Sequence, residues 1–240
     1  MRALIVRAHP LDPSKSRSMT MADAFVEELT AHRPDTVVDD VRLYETAVPE
    51  IDLDMMTGWE RLRAGEHFSH LTGAQQNKLA LFDQYTKQFQ SADLVVIANP
   101  LWNLSVPTRL KAWIDTICRA GVTFRYTAEG EAEGLVMDKT VVHLQASGGH
   151  FGQQDPASLY IAGMFQFLGC TTHTLAAEGM DHEPDRAEEI MEAALKASIE
   201  VYTDLSAKNA DFKKIYDSLG SFRNESYQWW QVAEYSFDNF

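Results

Sequence analysis

A strongly apolar run at residues 94–98 passes through a turn with two prolines into an amphipathic helical pattern. The pattern has the spacing i, i+3, i+4, i+7, which puts its apolar members on one helix face: Leu110, Trp113, Ile114 and Ile117. A buried strand that leads into a helix is the unit of a parallel α/β sheet covered by helices on both faces. The turn at residues 99–108 is therefore expected at the carboxyl end of a strand, where open α/β sheets bind their ligands.

Four further segments with apolar or β-branched character are predicted as strands: residues 3–6, 36–41, 140–146 and 172–176. The second of these is the most polar, so we expect it at an edge of the sheet. Helical patterns separate the strands, and this alternation predicts a parallel sheet. Five strands in this order fit a flavodoxin-like α/β fold, which is a doubly wound five-stranded parallel sheet with strand order 2-1-3-4-5.

Capping signals indicate where the helices begin. Ser18 is predicted to cap the first helix, because its hydroxyl can accept hydrogen bonds from first-turn amides. Thr72 and Gln75 form a capping-box pattern before a third strand–helix unit. A helix is expected from about residue 156 to residue 168, and Pro184 is typical of the first position of another helix.

The chain divides into a domain and a terminal extension. We expect a flavodoxin-like domain over residues 1–206 and an aromatic-rich C-terminal extension over residues 207–240. Within the domain, residues 43–71 lack a clean period and are expected to form short helices or a lid. The extension contains the segment 227–230, which could pack on its own subunit or cross to a partner and narrow a ligand pocket.

Composition excludes several classes of partner. The 240 residues carry a formal net charge of −14, which argues against nucleic acid and anionic membranes. No apolar run approaches the ~18 residues of a membrane span, and Arg7 interrupts the first apolar segment too early for a signal peptide. Cys118 and Cys170 are widely spaced, without a CxxC or a histidine cluster. We therefore expect two core thiols, no metal site and a cytoplasmic location.

Three loops are expected at one edge of the sheet. The first contains Ser16 and Ser18 at a helix N-terminus, where free amides and the helix dipole favour an anion, and it adds positive charge from His9 and Arg17. The second offers Trp102 as a flat surface, and the third, residues 146–152, has adjacent glycines that let a ligand approach the backbone. Each loop alone could be an ordinary cap or turn, but together they fit a phosphate and a planar ring, as in FMN.

Other nucleotide motifs are missing from the sequence. There is no strand–GxGxxG–helix fingerprint of a dinucleotide-binding fold and no P-loop. We also find no segment suited to an adenine, which favours FMN over FAD.

A longer pattern resembles a known family. It consists of Leu110-Lys111, then Asp115, residues 119–127 (RAGVTFRYT), residues 133–135 (EGL) and Lys139. With these motifs the chain resembles the FMN-dependent NADH:azoreductases, flavodoxin-like enzymes related to the NAD(P)H:quinone oxidoreductases. The resemblance runs from Arg2 to about Ser206.

The resemblance implies which residues contact FMN. The family's first phosphate-contacting serine aligns with His9, and Ala146 and Ser147 stand where the family has serine and arginine. The expected cofactor contacts, including Arg17 from the charge of the first loop, are His9, Ser16, Arg17, Ser18, Pro100, Leu101, Trp102, Asn103, Leu104, Ala146, Ser147, Gly148 and Gly149. A homodimer is also implied, in which the partner's pocket is lined by Tyr126, Met164 and Phe165.

The family's activity sets the expected chemistry. NADH or NADPH would pass a hydride to flavin N5, and a quinone or azo compound would then take its place in the same pocket, which requires ping-pong kinetics. His150 is a candidate proton donor, or else a structural loop histidine. Two other interpretations stay open: an electron carrier of the flavodoxin type with no substrate of its own, and a scaffold whose altered loops no longer hold FMN.

The expected dimer contacts are aromatic and aliphatic side chains near the third and fourth helices. We predict that exposed partners in the interface include Trp113, Ile117, Phe124, Phe165 and Phe167. The alternative is that these side chains lie in the core of the monomer.

Overall fold

The computed structural model describes residues 1–152 and 154–181. Seven strands occur in them: β1 (Arg2–Arg7), β2 (Val37–Arg42), β3 (Leu94–Pro100), β4 (Phe124–Tyr126), β5 (Ala132–Gly134), β6 (Thr140–Ala146) and β7 (Thr171–Ala177). Five strands form one parallel sheet in the order β2-β1-β3-β6-β7, and β4 and β5 pair separately as an antiparallel hairpin. The predicted fold and strand order are confirmed, with the most polar strand at an edge.

Five α-helices connect the strands: α1 (Arg17–His32), α2 (Leu53–Arg63), α3 (Gly73–Ser91), α4 (Thr108–Ile117) and α5 (Pro156–Phe167). The capping box of Thr72 and Gln75 is confirmed at the start of α3. The prediction for α1 was wrong by two residues, because Ser16 has extended backbone angles and is the N-cap, while Ser18 lies in the first turn. Residues 43–71 contain α2 and a short 3-10 helix, Phe68–His70.

The helices cover the sheet on two faces. One face packs against α3, α4 and α5, and the other packs mainly against α1. Trp113, Ile117 and Phe165 are fully buried in the first of these cores, so the prediction that they are exposed interface residues was wrong. The apolar stripe of α4 packs against the sheet, so it is not available to a partner. The Phe165 ring packs on Phe89, with centroids 6.1 Å apart.

The β4–β5 hairpin is an addition that the sequence did not predict. It connects α4 to β6 and packs against the C-terminal end of α5, where Gly134 contacts the backbone of Leu168 and Gly169. The half-buried rings of Phe124 and Phe167 pack on each other beside it, with centroids 4.7 Å apart. Since α4 starts at the carboxyl edge of the sheet and β6 starts at the amino edge, the hairpin lies away from the three predicted loops.

No helix within residues 1–152 and 154–181 has the length and apolar character needed to cross a bilayer. The helix expected at Pro184 and the extension over residues 207–240, with the segment 227–230, lie outside the described residues.

Candidate functional site

Three loops meet at the carboxyl edge of the sheet. They follow β1, β3 and β6, which are neighbours in the sheet. The rings of His9 and Trp102 lie 5.3 Å apart between centroids, which joins the first loop to the second. The amide of Leu101 donates to the carbonyl of Ala146 at 3.0 Å, which joins the second loop to the third. The predicted convergence follows from the strand order, because parallel neighbours end at the same edge.

The N-terminus of α1 has the properties of an anion site. Ser16 is the N-cap, but its side chain makes no capping hydrogen bond, and the first turn contains no acidic residue. The Ser16 and Ser18 hydroxyls are buried and lie 3.3 Å apart, each able to donate to the other. Both hydroxyls and the first-turn amides are therefore available to an anion at the positive end of the helix dipole. Arg17, between the two serines, is exposed.

His9 lies in the loop that leads from β1 to α1. Its Nδ1 accepts a hydrogen bond from the amide of Leu11 at 3.0 Å, so in the neutral ring the proton is on Nε2. Partial burial lowers the pKa of His9. The neutral ring therefore offers this loop an N–H donor without a permanent charge.

The turn after β3 is a strained hairpin. Trp102 and Ser105 exchange two backbone hydrogen bonds, of 3.1 and 3.0 Å. The two residues between them, Asn103 and Leu104, have φ values of 51° and 60°. Positive φ at both central positions is the geometry of a type I′ turn, and it is costly for leucine. The turn aims the exposed side chains of Trp102 and Leu104 away from the sheet.

Strain of this kind clusters at functional sites. Within the described part of the chain, the amides of Asn103 and Leu104 meet no hydrogen-bond acceptor, so they are available to the polar edge of a ligand. Pro100 and Leu101, by contrast, are tied to β6 through the strand pairing and the Leu101 amide. The turn therefore has a fixed base and a tip that offers donors.

A second aromatic residue, which sequence reasoning missed, supports Trp102. The ring of Tyr44 meets the Trp102 indole edge-on at 6.4 Å. The Arg109 guanidinium lies 5.5 Å from the Tyr44 ring centre and donates to the carbonyls of Leu43 and Thr46. Tyr44 is thus held as one wall beside the turn. Because Tyr44 follows β2 and Arg109 lies in the first turn of α4, no local pattern signals their contact.

The glycine loop after β6 is braced by its own groups. The Ser147 hydroxyl donates to the carbonyl of Gly149 at 2.9 Å, so this side chain is turned into the loop. The Glu178 carboxylate accepts from the amides of Phe151 and Gly152, at 2.9 and 2.7 Å. Gly148 packs so closely against the Asp181 carboxylate that a Cβ there would overlap it. A larger residue at this position would therefore have to displace the Asp181 side chain.

The remaining predicted residues lie elsewhere. His150 is exposed and packs directly over Gly179, where a Cβ would overlap its ring. Tyr126 lies on the hairpin with 63% of its surface exposed, and Met164 is half-buried on α5. Phe165 is fully buried in the core, so its assignment to a substrate pocket was wrong. None of Tyr126, Met164 and Phe165 joins the three loops within one chain.

Behind the loops lies a buried histidine that the sequence analysis did not single out. His143 is fully buried on β6, and desolvation lowers its pKa to about 4. Its Nε2 lies 2.9 Å from Asn99 Oδ1. The ring is therefore neutral over the physiological range.

This burial has a measurable consequence for stability. The unfolded chain binds a proton at histidine with a pKa of about 6.5, whereas folded His143 does so only near pH 4. The contribution of His143 to the free energy of unfolding is therefore fully present above pH 6.5, and about 3 kcal/mol of it is lost as the pH is lowered towards 4. Urea unfolding at several pH values should show that His143→Gln removes this part of the pH dependence of the free energy of unfolding. Equal pH dependence in the two proteins would contradict the assignment.

Comparisons with known proteins agree with this geometry. A family model described as the flavodoxin-like fold matches residues 1–201. The FMN-dependent NADH:quinone oxidoreductase of Staphylococcus carnosus (strain TM300) is 40% identical over 195 residues, which cover 79% of this chain and 92% of that protein.

Two solved structures are similar over most of the chain. The azoreductase from Bacillus anthracis str. Sterne superposes with a TM-score of 0.75 at 34% identity, covering 83% of this chain and 97% of that one. The FMN-dependent NADH-azoreductase from Bacillus anthracis str. Ames Ancestor, solved in complex with FMN, has a TM-score of 0.72 at 30% identity and covers 82% and 98%. The chain therefore belongs to the flavodoxin-like family of FMN-dependent NADH:quinone oxidoreductases and azoreductases.

Proposed function

We propose that this chain is an FMN-dependent NADH oxidoreductase that reduces quinones or azo compounds. The proposal rests on the groups that meet at the carboxyl edge of the sheet. The N-terminus of α1 lies there with two buried hydroxyls and an N-cap side chain that makes no capping hydrogen bond. A strained turn at the same edge has two amides without an acceptor among the described residues. The first feature fits a phosphate and the second fits the polar edge of a planar ring. The names of the relatives support the same cofactor and reductant.

The proposal assigns each group of donors to a part of FMN. Ser16, Ser18 and the first-turn amides of α1 would hold the phosphate as a terminal dianion, with His9 donating from Nε2 and Arg17 adding charge. The segment 100–104 would meet one edge of the ring system, and the segment 146–149 would meet the pyrimidine edge through backbone amides.

FMN, when bound, supplies two-electron hydride chemistry at its N5 atom. The protein's part is to fix the ring, to leave one face open to nicotinamide and then to the oxidant, and to place amide donors where negative charge develops. Tyr44 and Trp102, whose rings are in contact, would form a wall beside the bound ring. His150, which is exposed at the glycine loop, is a candidate hydrogen-bond partner for the oxidant.

Cofactor identification, reduction by NADH, reoxidation by an acceptor and steady-state kinetics test the proposal. The purified protein should bind FMN, identified by the mass of the released cofactor, and NADH alone should bleach the flavin absorption without oxygen. A quinone or an azo dye should then restore the absorption, and initial-rate plots should show the parallel lines of ping-pong kinetics. An electron carrier would bind FMN without being reduced by NADH, and a scaffold that no longer holds the cofactor would not bind FMN at all. Either result rejects the proposed activity.

We further propose a homodimer, because Tyr126 and Met164 lie away from the three loops of their own chain. The hairpin region exposes apolar surface: Tyr126 is 63% exposed, and Met137, after β5, is 74% exposed. Such surface is typical of an interface. A second copy could present Tyr126 and Met164 at the open side of the flavin pocket.

Light scattering after gel filtration should give twice the 27.0 kDa mass of one chain. Met137→Asp should shift the protein towards monomer and lower its activity in parallel. Leu53→Asp is the matched control, because Leu53 on α2 is 78% exposed but far along the chain from the hairpin. A fully active monomer at micromolar concentration would contradict the dimer.

The domain boundary near residue 206, the role of the extension and the cytoplasmic location stay predictions. The family match over residues 1–201 supports the boundary. The two cysteines are free thiols, which supports a reducing compartment.

A further inference from the structure

A hydrogen-bonded network of five polar side chains, four of them buried and Thr174 half-buried, runs beneath the edge of the sheet that carries the three loops. It consists of Thr174, His143, Asn99, Gln145 and Asp155, on three neighbouring strands and the N-cap of α5. Asn99, His143 and Gln145 are fully buried, and Asp155 is 1% exposed. On the same sheet face, Val95 and Val141 lie further from the loops and are apolar. On β3 and β6, the buried polar side chains therefore lie towards the loops.

One carbonyl fixes the direction of every hydrogen bond in this network. The Pro100 carbonyl can only accept, so the Asn99 group 3.0 Å from it must be the Nδ2 donor. Asn99 Oδ1 then faces His143, whose Nε2 must carry the proton and donate at 2.9 Å. His143 Nδ1 is left to accept from Thr174 Oγ1 at 3.5 Å. The tautomer of the histidine follows without further assumption.

The directions of the hydrogen bonds between Asn99 and Asp155 are fixed in the same way. Asn99 Nδ2 also donates to Gln145 Oε1 at 3.3 Å. Gln145 Nε2 therefore points to Asp155 Oδ2 at 2.9 Å and to Ser158 Oγ at 3.2 Å. Burial raises the pKa of Asp155, but hydrogen bonds from Ser158 and Gln145 outweigh it and lower the pKa overall. The series of hydrogen-bonded side chains thus ends on the ionised carboxylate of Asp155, which caps α5.

This network of side-chain hydrogen bonds holds the ends of the loops that follow β3 and β6. Asn99 holds the Pro100 carbonyl, where the segment 100–105 leaves β3. Gln145 precedes the glycine loop and Asp155 follows it, so their hydrogen bond joins the two ends of the segment 146–154. A buried network does not by itself favour stability over apolar packing. It does specify one arrangement, because reversing either amide would bring oxygen atoms face to face at Pro100 and at Asp155.

We propose that Asn99, His143 and Gln145 are positioning residues that set the spacing between the two loops that hold the flavin ring. The inference rests on the proposed function, since it presumes FMN at these loops. Loss of one link leaves buried partners unpaired, and the loop bases move to satisfy them. The ring then loses its fixed alignment with the amide donors, although no side chain of the network contacts it.

The test uses pairs of variants in the full-length protein. Gln145→Met removes the central link at nearly constant length. His143→Met removes the donor to Asn99, whereas His143→Gln keeps one. Thr86→Val is the matched control: Thr86 is 1% exposed and its hydroxyl donates to the Thr116 carbonyl, between α3 and α4. FMN dissociation constants, visible circular dichroism of the bound flavin and urea unfolding of the apoprotein are measured for each.

We expect Gln145→Met and His143→Met to raise the FMN dissociation constant at least tenfold and to alter the flavin dichroism. His143→Gln should stay within about threefold of the unmodified protein at pH 7. Thr86→Val should lower stability with unchanged binding and spectrum.

Several outcomes would overturn the inference. Binding and spectra in both methionine variants that match those of Thr86→Val would show a purely structural network. Failure of both methionine variants to fold would have the same meaning. If the unmodified protein does not bind FMN, the proposed function itself fails, which is distinguishable from variants that bind as well as it does.

Discussion

Replacing Ser16 and Ser18 together by alanine is expected to weaken FMN binding by about a hundredfold or more. Each hydroxyl would lose a hydrogen bond to a charged phosphate, worth about 1.5–3 kcal/mol. The apoprotein should lose little stability, because the Ser16 side chain makes no capping hydrogen bond. Fluorescence titration with FMN measures the binding, and urea unfolding of the apoprotein measures the stability.

Thr30→Ala provides the control for this experiment. Thr30 lies near the other end of α1, where its hydroxyl donates to the Val26 carbonyl at 2.8 Å. Its removal deletes a hydroxyl from the same helix without touching the N-terminus. Unchanged FMN affinity in the Ser16/Ser18 double variant would show that the phosphate binds elsewhere.

Gly134→Ala is expected to destabilise the fold by about 3 kcal/mol or more. A Cβ at this position would overlap the backbone of Leu168 and the amide of Gly169, which cannot rotate away as a side chain could. Relief requires the hairpin to separate from the end of α5. Since the hairpin carries Tyr126 and adjoins Met137, the variant should also weaken the proposed dimer. Urea unfolding and light scattering measure the two effects.

Gly163→Ala is the matched control in the same region. Gly163 lies within α5, and a Cβ there would meet nothing within 4 Å. Because alanine is the better helix former, we expect a gain of about 0.5–1 kcal/mol. Equal stability of the two alanine variants would mean that the hairpin does not dock as described.

The main sheet was predictable because its signals are local. The apolar run at residues 94–98 and the β-branched segment at residues 140–146 both favour a buried strand, and each is followed by a helical period. Once the strands are parallel, their ends meet at one edge whatever the side chains do. The convergence of Ser16, Trp102 and Gly148 at that edge follows from strand order alone.

Local patterns also misled where two roles compete for one residue. Ser16 and Ser18 are both plausible caps, and only the backbone angles show that the helix begins after Ser16. The aromatic residues of α4 and α5 could face a partner or the core. Trp113 and Phe165 are buried because they cover apolar residues on one face of the sheet. Whether a residue of α4 or α5 is required for this depends on how much apolar surface the other helices supply.

The sequence by itself determined the fold class, the strand order and the edge at which the three loops meet, because burial period and turn chemistry depend on consecutive residues. The tertiary structure decided the hairpin contact at Gly134, the wall formed by Tyr44 and the directed chain from His143 to Asp155. These depend on pairs far apart in sequence: Asn99 meets Gln145, 46 residues away, only after β3 and β6 have paired. Which polar side chains form hydrogen bonds depends on the distances and angles between them. For residues far apart in sequence, those distances and angles are set only when the strands have paired in register.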